Sequence, residues 1–170
     1  MRMRKCRVMD VALFRQALAG LLHELVDGPP GDVAFIVNQG DPGILASLAR
    51  LSAADVSARP GGRSSVAAHV HHLHYGFSLL NRWACGETPF ADANWAASWR
   101  MQQVTDDRWR ELRAALDREV HSWMSAVSER QDWDSMALSG AMSSVAHLAY
   151  HLGAIRQLVP AASGPPATDT

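Results

Sequence analysis

The sequence predicts an all-α chain: a four-helix bundle with a short extra helix in its first long connection. Three observations carry this reading. Four separate stretches repeat apolar residues at steps of three and four, the period of an amphipathic helix. No stretch gives a confident strand. With 170 residues, 48% hydrophobic and 19% charged, the chain suits one globular domain with a core of its own.

The first helix begins after Asp10, where Phe14, Leu18, Leu21 and Leu25 form one stripe, and GPPG at 28 to 31 stops it. DVAFIVNQG is ambiguous, a short strand or an irregular crossing. Asp41-Pro42 opens a short helix through Leu51, with Pro42 at a first helical position. After the loop ARPGGRSS, Ser64 or Ser65 caps a second long helix that runs to Cys85 and stops at Gly86. GETPFADANWAASW reads as a connector. Thr105 caps a third helix with Asp106 and Asp107 in its first turn and the stripe Trp109, Leu112, Leu116, Val120, Trp123, Val127. QDWDSMALSG reads as a loop. The last helix is expected from Ser143 to Val159, ended by Pro160. Residues 1–160 then form a single domain, and 161–170 a disordered tail.

The histidines carry the chemistry. His147 and His151 are four apart on the last helix, so both rings share one face and can grip one metal ion. HVHHLHY, at 69 to 75, holds four more. On a helical wheel Val66, Val70, Leu73, Phe77 and Leu80 make the apolar arc, widened by Gly76, Leu79 and Trp83. His69 lies near the middle of the widened arc and His72 toward its edge. His71 points away, toward solvent, and His74 sits at the opposite margin. The wheel leaves His69 and His72 as candidates and does not choose. One of them plus the pair would give three nitrogen ligands and an open position, the pattern of a catalytic metal. Imidazole suits zinc, nickel, iron or copper.

SLARLSAADVSARPGGRSSVAAHVHHL resembles the entry into the second helix of the DinB/YfiT-like superfamily, and VAHLAYHLGAIRQL its last helix; ADANWAASW resembles the connector of one branch. The resemblance covers roughly residues 44 to 158. It implies a four-helix bundle with a metal on three histidines near one end. By position from Ser65 it assigns His72, with His147 and His151, as ligands, and makes His69 a buried neighbour. The stretch from Gly28 to Asp41 departs from the long first helix common in that family. The implied cofactor is a divalent transition metal, zinc or nickel first. The implied activity is transfer of a low-molecular-weight thiol, such as bacillithiol or mycothiol, to a small-molecule electrophile; a metal-dependent hydrolase or a non-enzymatic binding bundle are the alternatives. A homodimer is expected on the same ground.

Tyr150 or Arg156 could orient substrate, though surface or interhelix contacts are the plainer roles. Trp95 and Trp99 are expected to pack on the helices rather than wall a pocket. Cys85 reads as a small buried hydrophobe. The two cysteines, Cys6 and Cys85, have no redox or metal spacing, which fits a reducing, cytoplasmic setting. Asp10, Arg15 and Gln16 break the apolar run of a signal peptide, and no 18-residue apolar run exists to span a membrane. A net charge of −1 gives no electrostatic footprint for nucleic acid.

Overall fold

A computed structural model describes residues 11–166. Among these residues the regular structure is helical and contains no strand. Four long helices carry the core: α1 (Val11–Asp27), α4 (Val66–Ala84), α6 (Asp106–Glu129) and α7 (Ser135–Leu158). α1 and α4 each lie against both α6 and α7. Three short helices sit in the connections: α2 (Gly43–Ala49), α3 (Ala53–Ser57) and α5 (Trp95–Ser98). No helix of the described residues is long and apolar enough to cross a membrane.

Each long helix buries the stripe its sequence offers. α1 buries Leu18, Leu22, Leu25 and Val26, with Phe14 and Leu21 half-buried against them. Asp10, after which the helix is expected to begin, lies outside the described residues. All six stripe positions of α6 are buried, and Thr105 caps it by accepting from the Arg108 N–H. Each such large apolar side chain contributes about 1.5–3 kcal/mol on leaving water. Trp109 and Trp123 also place their indole N–H groups, on the Leu51 carbonyl and the Ser144 hydroxyl respectively. Ser65, rather than Ser64, caps α4.

The connection between α1 and α2 is an irregular crossing with no strand. Its backbone is held from below by Glu24, which is 2% exposed. The Glu24 carboxylate accepts from the N–H groups of Phe35, Ile36 and Val37, at 2.6 to 2.9 Å for Oε1. Three successive amides turned toward one carboxylate make a small anion nest. At the connection's ends, Gly28 and Gly43 both have positive φ, and a Cβ at either would collide with backbone carbonyl oxygen of the other segment. The end of α1 and the start of α2 are therefore pressed together where only glycine fits.

Several boundaries differ from the sequence expectation. Pro42 is the N-cap of α2, not its first helical residue. α3 is an additional turn, set by a capping box in which Ser52 and Asp55 satisfy each other's backbone N–H. The connector 87–100 contains α5, capped by Asn94. The largest difference is α7, which starts at Ser135, eight residues before the expected Ser143. Asp134 caps it by accepting from the Ala137 N–H at 2.7 Å. The first two turns bury only Ala137 and Ala141, so they lack the large apolar side chains that mark a stripe.

The expectation of a disordered segment from 161 does not fit residues 161–166. Pro160–Ala162 form a 3-10 turn with Ala162 fully buried. The Ser163 and Pro165 carbonyls accept from Arg50 and Asn38. These contacts lie over the Asp41–Arg156 ion pair, which joins the first connection to the end of α7 at 2.8 Å.

Candidate metal centre

α4 and α7 bring His72, His147 and His151 together. Their donor nitrogens all lie within 4.8 Å of one another, the one such group of metal-binding side chains among the described residues. The spacing of four on α7 sets the His147 and His151 rings edge to face, with Nε2 to Nε2 at 2.9 Å. His72 comes from α4, with its Nε2 3.2 Å from the His147 Nε2. Two nitrogens each about 2.0–2.1 Å from one ion can be at most about 4.2 Å apart, and both measured spacings fall inside that limit.

Hydrogen bonding on the far side of the rings settles which nitrogens face inward. The Ser98 hydroxyl donates to the Trp95 carbonyl at 2.6 Å. Its oxygen therefore accepts from His72 Nδ1–H, at 2.7 Å, and the His72 Nε2 is left with its lone pair toward the cluster. His151 Nδ1 meets His69 Nδ1 at 2.8 Å. With His151 donating there, its Nε2 also turns a lone pair inward. His147 Nε2 then faces two lone pairs with one in-plane site of its own. Neutral rings can answer both contacts only by sharing a single proton three ways. A cation accepts all three lone pairs at once, so the donor set fits one.

Burial keeps these rings neutral. It pushes the His72 imidazole down to about 4, with the neighbouring His147, His69 and His71 rings adding to the shift. It pushes His151 to about 2, again with help from His147, His69 and His72. His69 and His147 are also lowered by burial. Near neutral pH the nitrogens are free bases, the form a metal binds.

The wheel's two candidates thus take different places. Both are buried, His69 at 8% and His72 at 7% exposure. His72 joins the cluster, and His69 stands behind His151. His71 is not a free surface ring; it is half-buried and its Nδ1 meets the Ser98 carbonyl at 2.7 Å. His74 lies outside the cluster, its ring stacked 6.5 Å from that of His71, and burial lowers it.

The tryptophans do wall the site. Trp99 stacks on His72 at 4.3 Å between ring centroids and 23° between planes, and its edge meets His69. Trp95 lies 5.6 Å from His72. Ser98, between them on α5, has no sequence signature as a histidine partner, because its role depends on where the connector folds. Tyr150 is exposed, its ring edge on His151. Arg156 is committed to Asp41 and takes no part. Cys85 is exposed at the end of α4, not buried. No carboxylate or thiol of the described residues enlarges the histidine group.

A cavity of about 380 Å³ opens beside the cluster between α4 and α7, with His147 in its wall. Phe77, Leu80 and Trp83 line it from α4 and Met136 from α7, while Phe90 and Trp95 of the connector complete it.

No known family profile matches the chain, and no curated protein or solved structure is significantly similar to it.

Proposed function

We propose that this chain is a metal-dependent enzyme of the DinB/YfiT-like four-helix bundle type, transferring a low-molecular-weight thiol to a small-molecule electrophile. The observation that carries this reading is the set of three inward-facing imidazole nitrogens, two of them with their ring orientation fixed from behind. His72, His147 and His151 would hold a divalent transition metal, zinc or nickel. Three protein ligands leave a position open to substrate, and such an ion lowers the pKa of a bound thiol or water.

The chain's own residues do the rest. Ser98 holds His72 in the orientation and tautomer that present Nε2, and His69 holds the orientation of the His151 ring. Trp99 covers the His72 face and keeps water from it. The cavity beside His147 holds the partner that receives the thiol. A thiol held there would lose its proton to solvent, its sulfur would form the new bond to the electrophile, and the electrophile's leaving group would depart with the electrons of the bond broken. The hydrolytic alternative stands behind this one, because no carboxylate joins the cluster to serve as general acid or base.

The first test is metal content of untagged protein beside His151→Ala. One equivalent of a transition metal in the parent, absent from the variant, is expected. Metal-loaded protein should then couple bacillithiol or mycothiol to a fluorogenic alkylating reagent, and His151→Ala should not. A parent that holds no metal and takes up neither zinc nor nickel would overturn the reading.

A further inference from the structure

We infer that the cavity beside His147 selects an apolar, non-anionic co-substrate of about one to two aromatic rings, and that Gly76 and Gly140 set its size. This rests on the metal-centre reading and goes further, to the chemical class of the electrophile.

The charge argument comes first. His147 is the one ionisable side chain in the cavity wall. The remaining lining is aromatic, aliphatic, glycine or serine. The most enclosed of the serines, Ser144, is already spent: it accepts from Trp123 and donates to the Ala141 carbonyl. An anionic ligand would leave water for a wall with no cation to pair it. An apolar one gains the full benefit of burial. The volume of about 380 Å³ sits at the low end of small-molecule sites, which run roughly 300–1,000 Å³.

The glycines are independent of that. Both stand inside long helices, where glycine is less stable than alanine. Neither has positive φ. Neither is forced by close packing. A Cβ at Gly76 would meet only His147 Cε1 and Trp95 Cζ3, each at 3.8 Å, and one at Gly140 only Trp83 Cζ3, also at 3.8 Å. These are ordinary contact distances, so the fold accepts alanine at both places. What the missing methyls leave is open space. Gly76 keeps it at the neck between His147 and Trp95, and Gly140 keeps it at the Trp83 end. Gly76 is buried and Gly140 half-buried, and a glycine in a cavity wall that the backbone does not require is explained by a ligand that occupies its place.

The probes are 4-bromobenzyl alcohol and 4-bromobenzenesulfonate, which share a ring and differ by a permanent negative charge that transition metals ligate only weakly. Binding to the metal-loaded full chain is followed by calorimetry and by heavy-atom quenching of tryptophan fluorescence. The alcohol is expected to bind at least tenfold more tightly. Gly140→Leu, remote from His147, should weaken it tenfold or more with metal uptake equal to the parent's. Gly140→Ala, which adds one methyl, should raise Tm by about 2–4 °C while weakening the alcohol less, and serves if the leucine variant does not fold. Equal affinity for the two probes, no binding of the alcohol, or an affinity that neither substitution changes would overturn the inference. The two readings fail separately. Alcohol binding without any metal uptake removes the metal centre and leaves the cavity, whereas metal uptake without alcohol binding does the reverse.

Discussion

His69 and His72 are three residues apart on one helix, equally buried, and still take different places. Their difference lies in what stands behind each ring. Ser98 accepts from His72 Nδ1 and leaves Nε2 facing the cluster, while His69 spends its Nδ1 on His151. Ser98→Ala is therefore expected to loosen His72 without removing a ligand. Loss of such an outer partner typically costs about 10–100-fold in metal affinity, to be measured by competition with a chromogenic chelator. Unchanged affinity would mean that Trp99 stacking alone orients the ring. The sequence could not have made this distinction. A helical wheel reports which residues turn inward, and both do. The choice of His72 came from a resemblance, whereas its physical cause sits 26 residues away in a connector whose path is tertiary. Cys85 shows the same limit, since a residue one step past a helix end turns outward or inward according to what packs there.

At the scale of elements, α6 was readable in full and α7 only in its second half. The six large residues of the α6 stripe announce their period, while the first two turns of α7 bury two alanines that announce nothing. Asp134 and its bond to the Ala137 N–H set that start, and a capping aspartate amid QDWDS is easily read as turn. The α1–α2 connection was ambiguous for a related reason. Its conformation is imposed by Glu24, a charged residue within an apolar stripe, whose role appears only when three amides close over it. Glu24→Gln is expected to cost about 1.5–3 kcal/mol, since charge-assisted hydrogen bonds are lost at a buried site. Limited proteolysis should then cut between residues 28 and 41 first, and a chain as resistant as the parent would contradict the assignment. Another link between elements is pH-dependent. His121 on α6 contacts Asp117 and, across the gap, Asp27 of α1. Partial burial pulls this imidazole down, but the hydrogen bonds and charges of the two carboxylates outweigh it and raise it above the usual 6.5. A raised folded-state value means the link is fully present below pH 6.5 and is lost as pH rises through the raised value. Because the pair is about half exposed, salt should shrink the shift, and an NMR titration of His121 at low and high ionic strength measures both.

For the whole molecule, the question is whether the metal centre builds the fold or the fold builds the centre. The core is one continuous apolar cluster drawn from all four long helices. α1 and α6 contribute heavily to that cluster and nothing to the site. The first connection is tied to the end of α7 elsewhere, through Asp41 and Arg156. On this arrangement the metal-free chain folds by itself, unlike small domains whose structural zinc supplies the folding energy. Chelator-treated protein should keep its helical far-UV signal and unfold cooperatively. Ligand linkage then fixes the size of the response to metal. A metal present at one hundred times its dissociation constant stabilises by about 2.7 kcal/mol. For a chain of this size about 1 kcal/mol moves Tm by roughly 2–4 °C, so zinc or nickel should raise it by roughly 5–11 °C. His151→Ala should remove that rise while leaving the metal-free chain folded, because the buried His151 ring packs on Trp99, Tyr150 and the other histidine rings. Chelation that abolishes the helical signal would make the site structural, and the three histidines would then hold the fold together rather than act on a substrate.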